Sequence, residues 1–167
     1  MLPHAGAHVA RISLAEIDEL FEIRGALEVL AVQRAAARAD RTLAKRLDAQ
    51  LRVCERVPPD DVERLAAENA RLHDLIYTAA GSPQLSQLID SLGSRIQRVR
   101  VASLSSPGRA REALGEHGAM AAAIAAGDVE KARDLATEHA HRGRAAATRW
   151  YIEQQRTGPN NGEGGSL

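Results

Sequence analysis

Aromatic side chains are almost missing from this chain: one Trp, two Tyr and one Phe make up 2% of its 167 residues. Strand-like β-branched runs are few as well, and Ala, Leu and Arg dominate, so the expected fold is all-helical. A single cysteine, Cys54, excludes an internal disulfide and a CxxC motif, and is expected to be a small buried hydrophobe. No apolar run approaches the roughly 20 residues that span a bilayer, and the start lacks the apolar stretch of a signal peptide. No membrane association and a cytoplasmic location are therefore expected. A surplus of positive charge is also absent, with 22 Lys and Arg against 22 Asp and Glu. Without such a field, these residues alone are not expected to bind DNA. Lysine is scarce, Lys45 and Lys131 standing against twenty arginines, a bias associated with GC-rich bacterial genomes.

What is present is helical punctuation. Residues 1–12 contain Pro3, Gly6 and His8, show no periodicity, and are expected to be a linker or the remnant of something upstream. Ser13 with Glu16 spells a capping box and opens a first helix to about Arg38; its stripe is Ile17, Leu20, Phe21, Leu27 and Ala31, with Arg24 inside it. A second helix, about Thr42 to Arg56, turns Leu43, Leu47, Leu51 and Cys54 inward and stops at Pro58-Pro59. Asp60 or Asp61 caps a third, with Leu65, Asn69, Leu72, His73, Ile76 and Ala80 inside and Gly81 at its end. Pro83 suits the first turn of a fourth, which carries Leu85, Leu88, Ile89, Leu92, Ile96 and Val99 up to Ser105-Ser106-Pro107-Gly108. The fifth, about Arg109 to Ala126, presents Ala113, Leu114, His117, Met120, Ala121 and Ile124. The sixth starts at Asp128 and presents Val129, Ala132, Leu135, Ala136, His139, Ala146 and Trp150. One domain over residues 13–156 follows, and the Gly- and Asn-rich tail, 157–167, is expected to be disordered.

Three histidines, His73, His117 and His139, fall on the apolar stripes of three different helices. Gly127 is a natural residue just past a helix end and Asp128 a natural N-cap, so the fifth and sixth helices form an antiparallel hairpin. His117 stands ten residues before Gly127 and His139 eleven after Asp128. Both imidazoles are thus about 15 Å up the hairpin, at one level. Asn69 precedes His73 by one turn and projects from the same face. Four nitrogen and oxygen donors from three helices suggest a metal site inside a bundle. His141 falls on a polar face and is expected to be solvated.

Several separated segments resemble the effector-binding FCD domain of FadR-type GntR transcriptional regulators. They are Asn69-Ala70-Arg71-Leu72-His73 followed by Ala79-Ala80-Gly81-Ser82-Pro83, the pair Glu116-His117, Gly127-Asp128 with His139 eleven residues later, and Ile23-Arg24 followed by Leu27-Glu28. The likeness spans about Ile12 to Arg156. It implies an antiparallel bundle of six or seven helices with a central metal and ligand cavity, where four side chains hold a divalent metal under the effector pocket. By position those ligands are Asn69, His73, His117 and His139. Asn69 departs from the pattern, aspartate being the commoner occupant; an amide oxygen can coordinate but brings no negative charge. The resemblance also implies a homodimer and an N-terminal winged helix-turn-helix domain. There is no room for one ahead of Ser13, and Gly6-Ala7-His8-Val9-Ala10 looks like the last strand of such a wing. DNA binding is expected only through a domain absent from this chain.

Neutral imidazoles suit zinc, nickel, copper or ferrous iron; zinc is the first expectation, with nickel, manganese or iron as alternatives. Four protein ligands in an octahedral arrangement leave two positions for water or for the carboxylate of a small effector. Arg24 either anchors that carboxylate or forms an i, i+4 ion pair with Glu28. Glu116 is expected to face solvent, orientation of a ligating imidazole being the alternative. The expected function is effector sensing without catalysis. A rival is a histidine-ligated metalloenzyme acting on a small acid, which needs an acid or base beside the open positions. Glu68 and Glu116 adjoin ligands, but a step of about 100° turns each away, and no other acid is identified in the core. A third reading is a purely structural or dimerising bundle that packs three histidines and binds nothing.

Overall fold

The computed structural model describes residues 13–157. The linker expected over 1–12, including the strand-like stretch from Gly6 to Ala10, lies outside the described residues. So does the expected tail beyond Thr157; Thr157 itself closes the last helix. Seven helices make up the described fold: α1 (Leu14–Ala37), α2 (Arg41–Glu55), α3 (Val62–Ala79), α4 (Pro83–Ser91), α5 (Gly93–Leu104), α6 (Arg109–Ala125) and α7 (Val129–Thr157). No strand occurs among the described residues.

Local chemistry sets most of these boundaries. Ser13 and Glu16 form the reciprocal capping box, with the Glu16 N–H donating to Ser13 Oγ at 3.1 Å and the Ser13 N–H to Glu16 Oε2 at 3.0 Å. Asp61, rather than Asp60, caps α3 by accepting from the Arg64 N–H, and Ser82 caps α4. Asp40 caps α2 through the Leu43 N–H at 2.7 Å. Gly127 takes φ 69°, a left-handed value that a side chain disfavours. There the N–H groups of Gly127 and Asp128 reach back to the carbonyls of Ile124 and Ala123, closing α6 as a Schellman turn. Asp128 then accepts from the Lys131 N–H to start α7, which folds back along α6.

The fourth expected helix is two. α4 ends at Ser91, Leu92 lies between, and α5 restarts at Gly93. Glycine is the poorest helix former after proline, and no neighbour within 4 Å fills the space where its Cβ would be. The apolar periodicity continues across the break, so periodicity alone concealed it.

α7 packs mainly along α1 and also against α5 and α6, while α2 rests on α3 and α6. Close approach of α1 and α7 depends on Gly143, since a Cβ there would meet Phe21 Cε1 at 2.9 Å. The main apolar cluster joins α1, α2, α3, α6 and the start of α7 through Val32, Leu47, Leu72, Ile76, Met120, Ile124 and Ala136. A smaller one, Ile17, Leu20, Phe21, Val99, Ala102 and Ala147, occupies the other end of α1 and α7. Cys54 is buried, as its sequence context suggests. Between the clusters, on the same helices, lies a buried polar layer.

Candidate metal centre

Three of the helices each deliver one imidazole to this layer. α3 brings His73, α6 His117 and α7 His139, all buried. The hairpin arithmetic holds, with the His117 and His139 rings 4.5 Å apart between centroids; His73 lies 5.0 Å from His117 and 5.7 Å from His139. One nitrogen from each ring lies within 4.8 Å of the others. Nitrogens about 2.1 Å from one metal at octahedral or tetrahedral angles stand about 3.0–3.4 Å apart, so the rings need to close by about 1.8 Å at most to share an ion. The donors fit a divalent ion on a further ground: His117 Nε2 is buried with no hydrogen-bond partner. Burial and the neighbouring imidazoles hold His117 well below its ordinary pKa, and burial pushes His73 down to about 4. Both are therefore neutral at pH 7, the form that coordinates metals.

Carboxylates and arginines surround the imidazoles. Glu116 Oε2 accepts from His139 Nδ1 at 2.6 Å, which leaves Nε2 of that ring for another partner. Arg109 holds Glu116 in a fork of 3.0 and 2.7 Å. Glu116 therefore does not face solvent as expected. Its Cβ leaves the His117 face, but the side chain is long enough to turn back across α7, which a 100° step from a neighbour does not reveal.

Glu28 corrects a second expectation, that the core holds no further acid. It is buried, with Oε1 3.1 Å from His73 Nδ1 and 3.8 Å from His139 Nε2, and Oε2 3.1 Å from Arg24 Nη2. These are ion-pair distances at angles that make no hydrogen bond, since both oxygens lack one. Burial pushes the Glu28 carboxyl up, but His73 and Arg24 outweigh it and hold it well below the usual carboxylate range. Arg24 thus makes the i, i+4 pair with Glu28, and its Nη2 also stands 3.4 Å from His73 Nε2. Glu68 turns away to Gln50 and Arg71. His141 is exposed.

Asn69 is buried and lines a small inner cavity with Arg24, Arg100, Ser103, Arg109 and His139. Arg100 and Arg109 were not singled out from sequence. Arg109 continues the stripe of Ala113 and His117 at intervals of four, and Arg100 lies four after Ile96; that spacing was the available signal. Burial and the Arg24 charge push Arg100 down to about 10, so it remains charged at neutral pH. Three guanidiniums face two carboxylates here, leaving the layer with a positive surplus.

The fold and the site together define an all-helical bundle organised around buried histidines close enough to hold a metal ion. The chain belongs to the FCD domain family, the C-terminal domain of GntR-family regulators: the family model matches residues 19–142, which include Arg24, Asn69 and all three histidines. No curated protein matched the chain in a sequence comparison. Among the described residues, no helix is long and apolar enough to cross a membrane.

Proposed function

We propose that this domain senses a small carboxylate metabolite for a bacterial transcriptional regulator of FadR type. His73, His117 and His139 would hold a divalent metal, with the Asn69 amide oxygen as fourth ligand and zinc as the expected ion, nickel, manganese or iron being the alternatives. The bound cation would supply a +2 charge and open positions to a carboxylate oxygen. Arg24 lines the same cavity, and its Nε has no hydrogen-bond partner, so it retains a donor for the effector after pairing with Glu28. Effector binding biases the packing of α1, α6 and α7. In a homodimer that bias would reset the spacing of two DNA-binding domains joined to this one.

The observation that carries this reading is the unpartnered Nε2 of His117 between two other buried imidazoles. A buried imidazole nitrogen without a partner is costly unless something occupies it. Glu28 and Glu116 both sit below their ordinary carboxylate pKa and each is paired with an arginine, Glu28 with Arg24 and Glu116 with Arg109, so neither stands free as the acid or base that a metalloenzyme would need.

Elemental analysis and thermal shift of the purified full chain test the proposal. The expected result is one metal per chain, a fall in Tm with chelator, and a rise in Tm with acetate or malonate only when metal is loaded. His117→Ala should lose all three. No metal at stoichiometric supply, with a Tm indifferent to chelator, would leave the structural bundle as the better description.

A further inference from the structure

The inner cavity bounded by Arg24, Asn69, Arg100, Arg109 and His139 offers about 10 Å³, room for one water. A carboxylate with a carbon body does not fit there. A hollow of about 690 Å³, within the range of small-molecule sites, opens between the α2–α3 and α5–α6 connections. Its walls include Val57, Val62, Leu65, Ala110 and Leu114, with Glu55, Asp60 and Arg111 as charged members.

Leu104 belongs to the walls of both spaces. It is the large member of a third buried cluster whose other buried members are Ala66 and Ala113, and it is the side chain that borders hollow and cavity alike. On the inner side stands Arg100, buried, bonded through Nη1 to Gln97, with Nε unpartnered. No carboxylate among the described residues lies within ion-pair distance of it; Glu28, paired with Arg24, and Asp74, on the exposed side of α3, act on it only from farther off. A buried guanidinium without a counter-ion calls for an anion.

We propose that the outer hollow holds the apolar body of the effector, while its carboxylate passes Leu104 to reach Arg100 beside the histidines. This rests on the carboxylate-sensing reading above and narrows it to acids with an alkyl or aryl body. A polyhydroxylated acid would leave most of its hydroxyls unpaired against these walls. Leu104 ends α5 beside a short connection, so its displacement leaves the helical hydrogen bonds largely intact.

The test is calorimetry of the zinc-loaded full chain with acetate, butyrate, hexanoate and octanoate. Affinity should rise about threefold or more per added methylene. Leu104→Trp, which enlarges this bordering side chain, should cancel that gain. Ala110→Phe narrows the hollow from a half-buried wall position and should also reduce the gain, keeping the test available if Leu104→Trp does not fold. Arg100→Gln should weaken every acid in the series at least tenfold while metal content stays at one per chain. Equal affinity along the series, with acetate still binding in a metal-dependent way, overturns this proposal and leaves the sensing reading intact. A gain that survives in Ala110→Phe overturns the placement in the hollow. Failure of every acid to bind the loaded protein overturns both.

Discussion

One helical turn separates two layers built on the same three helices. Met120 follows His117 by three residues, Ile76 follows His73 by three, and Ala136 precedes His139 by three; all are buried. The Met120 layer is apolar, held by burial and close packing. The histidine layer, by contrast, contains every buried side-chain atom without a hydrogen-bond partner found among the described residues: on Arg24, Glu28, Arg100, Arg109 and His117. Buried charges in such a layer contribute little net stability, because desolvation offsets most of their attraction. The first layer explains why the bundle folds. The second adds little to folding, as the proposed binding role would allow.

The sharpest way to break this contrast is to empty each layer in turn and follow urea unfolding. Glu28→Ala leaves Arg24 buried and unpaired, and should lose about 3–5 kcal/mol. Met120→Ala should lose about 2–5 kcal/mol through the cavity it leaves. The distinction lies in the double replacement Arg24→Leu with Glu28→Met, which removes both charges and should be neutral or stabilising. If that variant loses as much as Met120→Ala, the polar layer is structural and the contrast fails.

Acid should act on one layer only. His73 has a folded pKa of about 4 against an ordinary 6.5, so the unfolded chain binds the extra proton between those values. Stability of the metal-free protein is therefore full above about pH 6.5 and falls as the pH drops towards 4, by on the order of 3 kcal/mol. His73→Gln should reduce this slope, leaving the part due to His117, whose pKa is also depressed, and Met120→Ala should keep it whole. Identical slopes in wild type and His73→Gln would remove His73 as the source.

The smallest effect sharpens the picture within the polar layer. Glu116→Gln weakens the hydrogen bond that orients His139, and zinc affinity measured by competition titration should fall about ten- to a hundredfold. An unchanged affinity would mean that Glu116 serves Arg109 alone.

Sequence made the element boundaries legible wherever a cap or turn is local. Ser13 with Glu16, Asp61, Pro83 and Gly127-Asp128 each act within a few residues, and each appears where its chemistry suggests. The level of His117 and His139 was equally legible, because one tight turn fixes both distances from a common origin. His73 sits on a helix joined to that hairpin by no short turn, so spacing alone does not place it at the same height. The interruption at Gly93 was hidden by apolar periodicity that runs through it. Glu28, Arg100 and Arg109 stand at helical spacing on inward faces, yet charge reads as surface until the opposing helix is in place. Glu116 was misread because a glutamate reaches farther than the direction of its Cβ implies.

α7 runs for 29 residues, about 44 Å, and carries His139 one turn before Gly143, where the helix packs closely on Phe21 of α1. In the proposed sensor that contact would act as a fulcrum, with one arm inside the histidine cluster and the other extending about 21 Å to Thr157. A tilt of about 3° at His139 displaces the far end by about 1 Å. Under the proposed function, the smallest side chain in the helix would set where a local chemical event is converted into motion at the rim of the bundle.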